Sequence, residues 1–152
     1  MGKWMLTSSL EEWEHVDHEI EDELIEQGFT SKFIVSLMLA MDEIFANISM
    51  YAYSGEEGEV IIESSYDIDD NYRNAKISFL DYGVRFNPTE RNTQQDIREI
   101  NASKRKIGGL GIFLTKKNVD EIQYSYSNNT NILKLLKKEN INLEVNHGNN
   151  KN

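Results

Sequence analysis

Between residues 31 and about 51, the apolar residues Phe33, Leu37, Met41, Ile44 and Ile48 recur at intervals of three and four. That spacing sets them on one stripe of an α-helix, and so long a stripe must be buried against something. Thr30 or Ser31 can cap its start. The rest of the chain supplies the surface. Residues 60–66 alternate as a strand does, residues 67–74 are a polar turn, and residues 75–80 are a second strand, which makes a hairpin. Residues 121–127 and 130–137 repeat the pattern around the turn Asn128–Asn129. Ahead of the stripe, residues 10–27 form a second helix: Ser9 caps it, Glu12 follows three residues later as in a capping box, and Gly28 closes it. Its apolar positions are Leu10, Trp13, Val16 or Ile20, and Leu24. Residues 4–8 suit a short strand. A further short helix is expected within 96–101, and another runs from the glycines at 108–111 to about Asn118. The order β-α-α-β-β-loop-α-β-β predicts an α+β fold, a two-layer α/β sandwich on a largely antiparallel mixed sheet.

The 152 residues suit one domain, expected over 1–139, with the Asn-rich stretch 140–152 expected to fray. The chain has no cysteine, which excludes a disulfide framework and cysteine zinc sites. No stretch is expected to span a membrane, no leader is evident at the N-terminus, and a cytosolic protein is expected. The formal charge of −10 repels nucleic acid, so no direct DNA or RNA partner is expected. Basic residues nevertheless gather between 91 and 117, including Lys104, Arg105 and Lys106. Such a loop suits a small anionic ligand as well as a solvated face.

Three motifs can carry chemistry. Glu43 and Asn47 lie one turn apart on the long helix, roughly opposite Leu37 and Met41. A carboxamide oxygen can hold a hard cation such as magnesium, and a carboxylate can take a proton from an attacking hydroxyl. The same pair also occurs on ordinary polar helix faces. Asp81 to Pro88 reads DYGVRFNP directly after an apolar strand. An aspartate there can accept from an exocyclic amine such as that of adenine, and Gly83 lets the backbone pass close to a flat ring. Lys106 to Leu114 reads KIGGLGIFL, where glycines at a helix mouth turn backbone N–H groups towards phosphate. It is neither a Walker loop nor a dinucleotide fingerprint.

In this order, ExxxN on a helix, DxGxxF after a strand and GGLGIF opening a helix, the sequence resembles the GHKL superfamily of ATP-binding domains. Within it, the chain is most similar to the anti-sigma-factor serine/threonine kinases, over about residues 37–137. The resemblance implies a Bergerat-type sandwich that binds ATP and Mg2+. It implies Glu43 as general base, Asn47 as magnesium ligand, Asp81 on the adenine amine with Gly83 lining the ring, and residues 87–107 as a lid. Lys106, Gly108, Gly109, Leu110 and Gly111 would surround the phosphates. Implied partners are an antagonist protein that is phosphorylated and a sigma factor that is sequestered, with the kinase often a homodimer. Tyr51 stands where the family commonly has histidine, and Arg85 and Asn87 also depart from its pattern.

The alternative function is a nucleotide-dependent binding switch without catalysis. A gyrase-like ATPase clamp is disfavoured, since no second domain follows. His15 and His18 are spaced to share a metal but have no third ligand in view, so a solvated helix face is the expectation. Trp13, Tyr124 and Tyr126 are expected as core or sheet-surface aromatics.

Overall fold

A computed structural model describes residues 1–90 and 112–142. Helix α2 (Ser31–Asn47) forms where the apolar stripe requires, started by Thr30, whose hydroxyl accepts from the Phe33 N–H at 3.3 Å. All five stripe residues are buried, and so are Ala40, Glu43, Phe45 and Asn47 on other sides of the helix. The polar pair therefore does not face solvent, because the C-terminal half of α2 is covered on that side as well, whereas Val35 and Leu39 stay exposed. Its end widens into a π-helical turn, Ile48–Ala52. The combined run Ser31–Ala52 has 22 residues, and an 18-residue stretch within it has a mean hydropathy of 1.6, long and apolar enough to cross a membrane. The expectation that no stretch reaches that threshold is thus corrected. In this fold the run is the core helix.

Helix α1 (Leu10–Glu26) lies against it. Ser9 Oγ accepts from the Glu11 N–H at 3.2 Å, as a cap should. Glu12 does not complete the capping box. It turns back to the Thr7 hydroxyl and the Thr7 N–H instead. At the other end Gly28 takes φ 89°, and the Gly28 and Phe29 N–H groups bond the Ile25 and Leu24 carbonyls at 3.0 and 3.2 Å. Trp13, Val16, Ile20 and Leu24 are buried, whereas Leu10, in the first turn, stays exposed. Trp13 stacks on Phe45 with ring centroids 4.8 Å apart and donates its indole N–H to Asp42 Oδ1 at 2.9 Å.

Asp17 of α1 meets Asp42 of α2 at this contact. Burial, then the Asp42 charge and hydrogen bond, push the Asp17 carboxyl up to about 8. A raised acid favours the folded state only while protonated. Stability from this pair is therefore full below the ordinary aspartate range and is lost as pH rises towards 8. Asp17→Asn should flatten that loss. At pH 8 it should raise the unfolding midpoint by about 2–4 °C, on the order of 1 kcal/mol once solvent screening is allowed for, as read by calorimetry across pH.

The sheet comprises β1 (Gly2–Thr7), β2 (Glu59–Ile68), β3 (Tyr72–Asp81), β4 (Glu121–Ser127) and β5 (Thr130–Asn140), in the order β1-β2-β3-β5-β4. All four pairings among the described residues are antiparallel. Asn128 and Asn129 take φ 52° and 59° in the expected turn between β4 and β5. One face, with Val60, Ile62, Ile77, Phe79, Leu133 and Leu135, packs into the core shared with α1 and α2. Helix α3 (Phe113–Asn118) sits against α2, with Ile112 fully buried at its entry. Fraying does not begin at Asn140. That residue pairs with Tyr72, and the Ile141 N–H bonds the Asn71 carbonyl at 3.0 Å. Glu139 accepts from the Thr30 N–H at 3.2 Å and from its hydroxyl, joining the end of β5 to the start of α2. The helix expected within 96–101 and the tail beyond 142 lie outside the described residues.

Candidate functional site

Where α2 and its π-turn cross the ends of β3, β4 and β5, a narrow cleft opens. Ile44, Asn47, Ile48, Tyr51 and Ala52 line one wall. Phe79, Asp81, Tyr124, Asn131 and Leu133 line the sheet side, and Val84, Phe86 and Pro88 the rim. A mostly apolar slot with a few convergent polar groups suits a flat heteroaromatic ring.

Asp81 is the buried carboxylate of this slot, 5% exposed at the end of β3. Its Oδ1 accepts from the Gly83 N–H at 2.9 Å and from the Asn131 amide at 3.0 Å. Both bonds fall on one oxygen, so Oδ2 is the oxygen placed for an amine. Burial raises the Asp81 carboxyl, and the bonds from Asn131 and Gly83 partly offset that. Gly83 also has a close neighbour within the chain. A Cβ on it would overlap the Ala52 carbonyl oxygen, so glycine is needed where the turn touches the π-helical segment. The Val84 N–H donates to that same carbonyl at 2.9 Å.

Asn131 was not foreseen. Its amide donates to Asp81 and, at 3.0 Å, to the Val84 carbonyl, while its Oδ1 accepts from the Phe86 N–H and the Tyr124 hydroxyl. One side chain thus fixes the carboxylate, the loop after β3 and an aromatic of β4. Tyr124 packs on the core as expected, and it also lines the slot. Asn131→Ala would leave several of these buried groups unpaired. Denaturant unfolding should show a loss of about 2–4 kcal/mol.

Asn47 lines the cleft, with its amide oxygen buried. A neutral carboxamide oxygen is a donor that magnesium accepts, with phosphate and water completing the shell. Among the described residues, no group of three or more His, Asp or Glu could hold a metal alone, and His15 and His18 lie exposed on α1.

Glu43, one turn earlier, is 6% exposed and does not line the cleft. Its Oε1 accepts from the Thr115 N–H at 2.8 Å and the Thr115 hydroxyl at 2.7 Å. Burial raises the Glu43 carboxyl, and bonds from Thr115 and Leu114 oppose the rise. Thr115, fully buried in α3, is the second residue not foreseen. Lys106, Gly108, Gly109, Leu110 and Gly111, with most of the expected lid, lie outside the described residues. The chain returns at Ile112, three residues before Thr115.

Two of the departures have local explanations. Asn87 Oδ1 accepts from the Thr89 N–H at 2.9 Å, capping the 3-10 turn Pro88–Glu90, as an aspartate would. The Arg85 guanidinium lies over the Tyr126 ring at 5.3 Å. Tyr51 lines the cleft with its ring 6.3 Å from that of Phe86.

The profile of the histidine kinase-like ATPase domain family matches residues 6–137. The serine-protein kinase RsbW of Listeria innocua is 29% identical over 109 residues, covering 70% of this chain and 67% of that protein. Its counterpart in Listeria monocytogenes serovar 1/2a is 30% identical over 110 residues, with the same coverage. A crystal structure of the RsbU and RsbW domains of a Mycobacterium tuberculosis protein superposes with a TM-score of 0.57 at 12% identity. It covers 91% of this chain and 33% of that one, and the likeness shows the fold.

Proposed function

The chain belongs to the histidine kinase-like ATPase domain family, and from that premise we propose that it is an ATP-dependent serine/threonine kinase of the anti-sigma type. It phosphorylates an antagonist protein and holds a sigma factor inactive. The observation that carries this reading is the slot itself. A buried, clamped aspartate stands across it from Asn47, and a buried glutamate lies one turn away on the same helix. The names of the Listeria relatives support the kinase reading.

In this reading Asp81 Oδ2 accepts from the adenine amine, and the apolar walls hold the ring. Gly83 sets the loop beside it. Lys106, Gly108, Gly109, Leu110 and Gly111 surround the phosphates. Magnesium, held by Asn47, would neutralise phosphate charge. Glu43 takes the proton of the acceptor hydroxyl as its oxygen attacks the γ-phosphorus, and the bond to the bridging oxygen breaks to release ADP. Burial keeps Glu43 a stronger base than an exposed glutamate. The protein acts in the cytosol and as a homodimer.

The test is transfer of the γ-phosphate from ATP to a candidate antagonist, followed by mass spectrometry of the phosphorylated residue. One observation favours a second reading, a nucleotide-dependent switch without catalysis: Glu43 Oε1 is already engaged by Thr115. That reading predicts ATP-dependent partner binding with no phosphoserine.

A further inference from the structure

Helix α3 buries a polar residue and exposes apolar ones. Phe113 and Leu114 stand 39% and 45% exposed, whereas Thr115 is fully buried. A buried hydroxyl is costly unless it is bonded, so a threonine at such a position marks a bond that an apolar residue could not make. That bond is to Glu43. The Thr115 N–H and hydroxyl both donate to Oε1, at 2.8 and 2.7 Å, and the Leu114 backbone adds a further donor to the carboxyl. The hydroxyl has a single proton to give. The Ala40 carbonyl lies 3.2 Å from the same Oγ1, farther than Oε1, and a helix carbonyl already receives the N–H four residues on. The proton therefore goes to Glu43.

We propose that Thr115 is the positioning residue for the proton acceptor: it fills both lone pairs of Glu43 Oε1 and so makes Oε2 the oxygen that takes the proton. The inference rests on the reading of Glu43 as general base and deepens it. An ionised carboxylate offers about four acceptor positions over its two oxygens. Thr115 occupies those of Oε1, and the Leu114 bond still leaves room on Oε2. The proton of the acceptor hydroxyl passes to Oε2 as its oxygen joins the γ-phosphorus and the bond to the bridging oxygen of ADP breaks. The carboxyl becomes neutral, and Oε1 keeps both donors throughout. Two donors from one residue on one oxygen also hold the plane of the carboxyl, which a single N–H would leave free to turn. The engagement of Oε1 thus aims the base, and a base held in fixed geometry is what proton transfer needs.

The test is a double-mutant cycle on the full chain, read as single-turnover transfer from ATP to the antagonist protein and as equilibrium ATP binding. Thr115→Val keeps the backbone N–H and the shape of the side chain and removes the hydroxyl. Transfer should fall by about 10- to 100-fold, the cost of a misplaced catalytic group, with ATP affinity unchanged. Thr115→Ser restores the hydroxyl and should recover most of the rate. In a Glu43→Gln background, adding Thr115→Val should cost no further transfer, because no base is left to aim. A role in packing alone would give the same fractional loss in both backgrounds. Thermal melts establish the folded fraction, and Thr115→Ala, which also lacks the hydroxyl, takes the place of a valine variant that does not fold. Transfer lost in Glu43→Gln but kept or raised in the variants without the hydroxyl would overturn the assignment of Thr115 alone. So would additive losses, or a serine variant as slow as valine. Transfer that survives Glu43→Gln would overturn the base and this inference with it.

Discussion

Glu43→Gln is expected to lower phosphate transfer by about 100- to 10,000-fold, the range that a positioned general base supplies. Glutamine keeps a carbonyl oxygen where Oε1 now accepts from both donors of Thr115, so α2 and α3 stay joined. It also removes a carboxylate that burial disfavours, so the unfolding midpoint should hold or rise. ATP affinity should stay close to wild type, because Glu43 does not line the cleft. The pairing of lost transfer with retained binding separates a base from a scaffold. Single-turnover transfer and equilibrium ATP binding on the same preparation measure both. The wild-type rate should rise with pH along an acid limb displaced above the ordinary glutamate range, since burial raises this carboxyl. Transfer that survives in Glu43→Gln would remove the residue from the chemistry.

Asp81→Asn should weaken ATP binding by about 10- to 150-fold, the value of a hydrogen bond to a charged group. The geometry makes this substitution more informative than alanine. Gly83 and Asn131 both donate to Oδ1, so an asparagine keeps its carbonyl there. Its NH2 group then replaces Oδ2 and meets the adenine amine donor to donor. Guanine offers a carbonyl at that position, so the preference for ATP over GTP should shrink or reverse. Competition binding with the two nucleotides reads the ratio directly. An unchanged ratio would place the base elsewhere.

The sequence carried the local elements well, because their causes are local. The stripe from Phe33 to Ile48, the positive φ of Gly28 and the Asn128–Asn129 turn each depend on a few neighbouring residues. The spacing of Glu43 and Asn47 likewise told that they share a face. It could not tell that this face is buried, because α3 arrives from about 70 residues later in the chain. Asn131 stayed hidden for the same reason. It reaches Asp81 only because β5 lies beside β3, and no periodicity within a strand encodes the order of strands in a sheet. Gly83 was singled out as a residue that must lack a side chain. The structure adds a reason of its own, the Ala52 carbonyl, a contact between distant segments that no local pattern encodes.

The position of β5 also bears on the protein's synthesis. Among the described residues it is the last strand in chain order, yet it lies between β3 and β4, carries Asn131 into the cleft and brings Glu139 to the start of α2. Until it emerges, β3 has an open edge, Asp81 lacks its clamp and α2 lacks its tie. The nascent chain can therefore form its first helices and hairpin early without gaining a finished nucleotide pocket, and non-local pairing of this kind is slow. Premature termination anywhere before β5 would yield a product with an exposed strand edge and no nucleotide site, a substrate for chaperones and proteases rather than a half-active regulator.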